Sequence, residues 1–217
     1  MSLPSLPRSP GRLEQIRIPS TSDPLRVLFS GCLMGNPCGI DGSDYGMGQT
    51  MRDFLHLPTL KAIPFCPEDY AIGTPRNMPD IHGGDGFDVL DGRARVLDEH
   101  GTDLSQKMLR GAHAMLEHAL IHKAELAILT DMSAACGSQV ISDGCRLVKE
   151  RRFQIGAGVA AALLLRNGIP VLSQRDYQSL GKIRAKLDSG YQPDPNARDH
   201  HESEWYRSYF MPRGKGV

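Results

Sequence analysis

Apolar residues in this chain gather in short runs separated by Gly- and Pro-rich loops, with one long segment of helical periodicity among them. Val27 to Ser30, Ala62 to Phe65, Leu126 to Thr130 and Ile169 to Leu172 have the length and composition of buried strands. Leu109, Ala112, Leu116, Ala119 and Leu120 form a helical stripe. It predicts a helix capped by Thr102 or Asp103 and running to about Lys123. Met51 to Leu55 opens another helix, and Val159 to Arg166 forms a third, closed by Gly168 at the C′ position. Thr74 to Gly86 reads as loop. Phe87 to Leu90 and Arg93 to Leu97, joined by Asp91-Gly92, read as a β-hairpin. Strands alternating with helices predict an α/β fold of three layers, with a mostly parallel sheet and a β-hairpin insertion.

In this Rossmann-like arrangement the folded domain spans residues 25–176. Residues 1–24, rich in Pro, Ser and Arg, read as a disordered tail or, as the minor reading, an organellar transit peptide. They lack the apolar core of a secretory signal. Residues 177–217 form a polar extension in which Trp205, Tyr206, Tyr209 and Phe210 recur at helical spacing. The simplest role for that helix is docking on its own domain; a dimer contact or a base-stacking platform are the others.

The chain has 217 residues and a formal net charge of +0, so no global field draws it to nucleic acid or lipid. No apolar stretch reaches the length of a membrane span. Five cysteines without an export signal point to a reducing, cytoplasmic setting with thiols used as ligands or nucleophiles.

Three of these cysteines follow apolar runs: Cys32 after Val27 to Phe29, Cys66 after Ala62 to Phe65, and Cys136 shortly after Leu126 to Leu129. If the runs are parallel strands, all three thiols reach one carboxyl edge, where open α/β sheets build their sites. Three soft ligands without an obvious fourth suit a metal or cluster with one open position. Any one of them alone would read as a buried structural cysteine. Cys32 and Cys38 are too far apart for a CxxC pair, and Cys145 follows no comparable strand end.

Glu68, two residues past Cys66, can reach the same pocket as a general base, or sit at the surface or cap a helix. Ser133, three residues before Cys136, can bond a substrate or cap its turn. Arg76, on a loop fixed by Pro75, can clamp an anion, stack on a base or stay solvated. Arg146, Lys149, Arg151 and Arg152 make one basic run, a solvated face or a phosphate contact. Gly156-Ala157-Gly158 before a helix lacks a full phosphate-loop fingerprint. His118 and His122 read as an exposed flank, and His200-His201 as solvated.

Taken in order, Ser30-Gly31-Cys32-Leu33-Met34-Gly35 through Cys38 and Asp41-Gly42, Cys66-Pro67-Glu68, Thr74-Pro75-Arg76, Gly83-Gly84-Asp85-Gly86, Asp88 to Ala94, Ser133 with Cys136-Gly137-Ser138, and Gly158 to Val171 resemble the DUF523 family. The resemblance covers about Val27 to Ser173 and leaves both tails outside. That family includes thiouracil desulfidases carrying a [4Fe-4S] cluster. The resemblance implies cluster ligands at Cys32, Cys66 and Cys136, an acid/base at Glu68 and a pocket serine at Ser133. Ser133-Ala134-Ala135-Cys136 departs from the more usual Ser-Pro-Ser-Cys, and Asp131-Met132 from a lysine-containing pair.

The implied activity is desulfuration of thiouracil or thiouridine, free or in tRNA, to the oxo base with release of sulfide. The implied partners are a small thiolated nucleobase or nucleoside, or tRNA, and no membrane; the oligomeric state is open. Two rivals stand beside it: a non-catalytic iron-sulfur or sulfide-binding protein that delivers sulfur to a partner, and a metal-free hydrolase with Cys136 as nucleophile. The last also needs a histidine partner.

Overall fold

The computed structural model describes residues 13–211. Its strands are β1 (Leu25–Ser30), β2 (Leu60–Phe65), β3 (Asp80–His82), β4 (Arg95–Leu97), β5 (Leu126–Leu129), β6 (Val140–Ser142), β7 (Phe153–Ile155) and β8 (Val171–Ser173). Its α-helices are α1 (Arg52–Leu55), α2 (Pro67–Ala71), α3 (Gly86–Leu90), α4 (Ser105–Ile121), α5 (Val159–Arg166), α6 (Tyr177–Leu187) and α7 (Glu204–Phe210).

The four apolar runs form one parallel sheet in the order β2-β1-β5-β8. Alternation along the strands sends side chains to two faces. Leu28, Ile63, Ala127 and Leu129 pack with α4 and α5, through Met108, Met115 and Leu164 among others. Val27, Phe29, Leu126 and Ile128 pack on the opposite face with Phe54 of α1 and with Leu180, Ile183 and Leu187 of α6. Both faces are covered, which is why β5 reads as unbroken Leu-Ala-Ile-Leu, fully buried throughout. Pro64 is tolerated because β2 is an edge strand, where a missing N–H costs no ladder bond. The expected three-layer α/β fold is the one observed.

The expected hairpin over residues 87–97 is not formed as read. Gly86–Leu90 is helical because Asp85 accepts from the N–H groups of Phe87 and Asp88, while Asp88 accepts from Asp85 N–H, a reciprocal capping box. Asp91-Gly92 closes that helix, with Gly92 at φ 73°. Arg95–Leu97 instead pairs antiparallel with Asp80–His82, from the segment expected to be loop. A second antiparallel pair, β6 with β7, was not expected: Asp143-Gly144 follows β6, but a long connection over residues 143–152 separates the two short strands.

The expected tail over residues 1–24 lies outside the described residues as far as residue 12. From Leu13 onward it packs: Ile16 enters the second core, and Arg17 bonds Glu125 at 2.7 Å. Past residue 176, α6 supplies three side chains to that core. The aromatic helix α7 docks on its own domain: Tyr206 is buried, and Tyr209 Oη accepts from Phe153 N–H at 2.8 Å. Among the described residues no helix is long and apolar enough to cross a membrane.

Candidate active site

Each thiol arrives by a different route to the same edge of the sheet. β1 ends at Ser30, and a 3-10 turn over Gly31–Met34 carries Cys32. β2 runs directly into Cys66, which is the N-cap of α2: its Sγ accepts from Asp69 N–H at 3.4 Å, with Pro67 in the first turn. Glu68 follows within that first turn and is buried. β5 ends at Leu129, and the chain then turns through Ser133 to Cys136.

That turn is fixed from two sides. Ser133 Oγ accepts from the N–H groups of Ala135 and Cys136 at 3.2 and 3.1 Å. The carbonyls of Ala134 and Ala135 accept from the first N–H groups of α5, Val159 and Ala160, at 2.8 and 2.9 Å. A Cβ on Gly158 would lie 2.5 Å from Ala135 C, so glycine is what lets α5 approach. The Gly156-Ala157-Gly158 segment therefore has no phosphate-loop role here, because its helix N-terminus is occupied by backbone.

Cys32, Cys66 and Cys136 line one cavity of about 320 Å³ together with Glu68, Ser133 and Arg76. Sequence reasoning thus named residues that the fold brings together. Cys38, whose role was left open, lies there too and shares its thiol proton with Cys32 and Cys66. The hydrogen bond from Cys38 outweighs burial and lowers Cys32 to about 7, with Thr130 Oγ1 helping at 3.0 Å. The same donor lowers Cys66 against its burial, while Cys38 itself is pushed far up by serving both. Burial, reinforced by the Cys66 thiol, raises Cys136 well above the ordinary thiol range. Cys145 is not part of the cavity lining.

Glu68 is held at both oxygens. Ser133 Oγ donates to Oε1 at 3.1 Å, and Arg76 donates to Oε2 from Nη2 and Nε at 2.8 and 3.1 Å. Arg76, expected to bind substrate, also donates to Cys38 O, Gly39 O, Gly73 O and Thr74 Oγ1. Its guanidinium fixes Glu68 on the cavity wall that both residues line. Arg146, from the basic run, lines the cavity but is pinned to buried Asp80 at 2.6 Å.

Tyr45, Met47, Met78 and Met132 complete a largely apolar wall; Met132 was noted only as a departure from the family pattern, and none was expected to line the site. Irregular loops carry them, so no periodicity marked them. Met132 sits at φ 61°, a strained conformation next to the chemistry. His200, read as solvated, is buried behind this wall against Asp131.

Among the described residues no three His, Cys, Asp or Glu side chains close on a point that would suit one metal ion. Three thiols arrayed around a cavity still fit an iron-sulfur cluster, where each thiolate binds a different iron.

An open cavity ringed by thiols, with a fixed carboxylate and hydroxyl on its wall, is arranged as a reaction centre rather than a closed structural metal site. Residues 27–176 match the 2-thiouracil desulfurase family, and this chain belongs to that family of enzymes. It is 34% identical over 155 residues to uncharacterized protein YbbK of Bacillus subtilis (strain 168), covering 71% of this chain and 99% of the relative. The solved structure of the [4Fe-4S]-dependent thiouracil desulfidase TudS aligns with a TM-score of 0.60 and 31% identity, over 74% of this chain and 98% of that one.

Proposed function

We propose that this protein is a [4Fe-4S]-dependent desulfidase that replaces the sulfur of a thiolated pyrimidine with oxygen. The substrate is thiouracil or thiouridine, free or in tRNA; water enters, and the oxo base and hydrogen sulfide leave, without net redox change. Cys32, Cys66 and Cys136 hold the cluster. The observation that carries this reading is their convergence on one cavity with the Glu68–Ser133 pair.

When bound, the cluster supplies a soft Lewis acid that polarises a thiocarbonyl. The rest falls to the chain. The apolar wall of Met47, Phe65, Met78 and Met132 accepts a flat ring and limits bulk water. Glu68 takes a proton from the attacking water and returns one to the departing sulfur. Arg76 keeps that carboxylate aimed, and Ser133, on its other oxygen, positions both Glu68 and the ring's polar edge. Arg76 therefore acts on substrate through Glu68.

The test is anaerobic purification and reconstitution, with iron and acid-labile sulfide assayed beside turnover of thiouracil and thiouridine. About four of each per chain, with oxo base and sulfide formed one to one, supports the reading. A cluster-bearing protein that forms no oxo base would instead be a sulfide carrier. A protein that takes up zinc and no iron would end the proposal.

A further inference from the structure

His200 lies beyond residues 27–176, the segment that matches the family, yet it is 4% exposed and reaches the back of the site. Its Nδ1 is 2.5 Å from Asp131 Oδ2. Asp131 is among the cavity's lining residues, and its second oxygen, Oδ1, accepts from the N–H groups of Ser138, Gln139 and Val140 at 3.1, 3.3 and 3.4 Å. One carboxylate therefore ties both ends of the turn that carries Ser133 and Cys136. Burial pushes the Asp131 carboxyl up, but His200 and the backbone N–H groups more than offset it and keep it below the usual range. A carboxylate can only accept, so Nδ1 is the donor.

The C-terminal segment that delivers His200 is itself anchored. His200 N–H donates to Asp176 Oδ1 at 3.1 Å, and Asp199 accepts from Ser179 N–H and Oγ at 2.8 and 2.7 Å. Trp205 stacks on the imidazole at 5.6 Å between centroids. From the other side, Gln174 Oε1 accepts from Asp131 N–H at 2.7 Å.

We infer that His200 is a positioning residue for the reaction: through Asp131 it sets the 131–140 turn, and with it the placement of Ser133 against Glu68 and of Cys136 in the cavity. The C-terminal extension is then part of the working site. The inference rests on the desulfidase reading only for its turnover readout, since the turn's order can be measured directly.

The experiment compares His200→Ala, His200→Asn and Trp205→Leu in the reconstituted full chain. Amide hydrogen exchange at Ser138 to Val140, iron content and kcat are measured for each. An asparagine amide can occupy the Nδ1 position and donate to Asp131; alanine cannot. His200→Ala should speed exchange at those amides about tenfold or more and lower kcat by a similar factor, with iron retained. His200→Asn should restore both. Trp205→Leu, which removes the stack on the imidazole and the ring contacts to Phe153, Tyr209 and Phe210 but leaves the Asp131 bond, should lower the melting temperature and leave exchange and kcat in place. Unchanged exchange in His200→Ala overturns the inference whether or not the protein turns over thiouracil. So does an His200→Asn protein as impaired as the alanine variant, or a Trp205→Leu protein impaired in the same way. If His200→Ala does not fold, the asparagine variant against Trp205→Leu decides.

Discussion

Ser133 and Glu68 stand 65 residues apart in the chain and meet at 3.1 Å, joining the turn after β5 to the first turn of α2. The contact leaves Glu68 one oxygen bonded to a hydroxyl and one to a guanidinium, fixed in direction yet on the cavity wall.

Replacing that carboxylate separates chemistry from stability. Glu68→Gln keeps hydrogen-bonding capacity toward Ser133 and should retain iron while turnover falls about a hundredfold or more. Glu68→Ala strands the Arg76 guanidinium, whose side chain is 4% exposed, and should cost about 3–5 kcal/mol of stability. Steady-state rates with denaturant melts distinguish the two. Full activity in Glu68→Gln would remove Glu68 as the proton carrier.

On the proposed reading the four cavity thiols divide by role. Cys32→Ala, Cys66→Ala and Cys136→Ala should each lose most of the iron after reconstitution, whereas Cys38→Ala should keep it. In metal-free protein, alkylation of Cys32 should rise with pH around about 7. In Cys38→Ala the midpoint should move up toward the ordinary thiol value of about 8.5, because the principal donor to that thiolate is gone. Iron lost from Cys38→Ala would put Cys38 among the ligands.

Gly111, in the middle of α4, offers a test of sign. Gly to Ala within a helix ordinarily stabilises by about 0.5–1 kcal/mol. Here a Cβ would lie 2.2 Å from the carbonyl oxygen of Pro67, the residue before Glu68. Gly111→Ala should therefore destabilise by about 1–3 kcal/mol and lower turnover by shifting α2. A stabilised, fully active variant would show that α2 tolerates displacement.

Much of this arrangement was legible beforehand because the sheet is buried on both faces. Runs such as Leu126 to Leu129 must be apolar throughout, and the residue types that follow them stand out. Cys32, Cys66, Cys136, Glu68 and Ser133 were found that way. The capping box at Asp85 was overlooked because Asp-Gly six residues later gave a stronger local turn signal. Helix α6 was missed because its apolar stripe of Leu180, Ile183 and Leu187 is diluted by Lys and Arg on the open side. His200 carried no signal at all: its value depends on Asp131, 69 positions earlier, and only the tertiary fold reveals that pairing.

Acid stability should report the same pair. Asp131 has a folded value below its unfolded one, so its contribution is complete above the unfolded carboxylate value, about 3.9, and disappears as pH falls through the lower folded value. Urea midpoints of metal-free protein between about pH 7 and 3 should therefore fall more steeply for the parent than for Asp131→Asn. Parallel curves would mean the carboxylate is not specially held in the folded state.

β1 lies between β2 and β5, so pairing of those three strands brings the segments that carry Cys32, Cys66 and Cys136 to one edge of the sheet. During synthesis that core of the sheet is complete in the nascent chain while α5, β8, α6 and His200 are still unmade. The thiols thus emerge from the ribosome before the turn behind them is braced and before the second sheet face is covered. On the proposed reading, a ribosome stalled before the last helices would hold a polypeptide with all three thiols and no braced turn beneath Cys136.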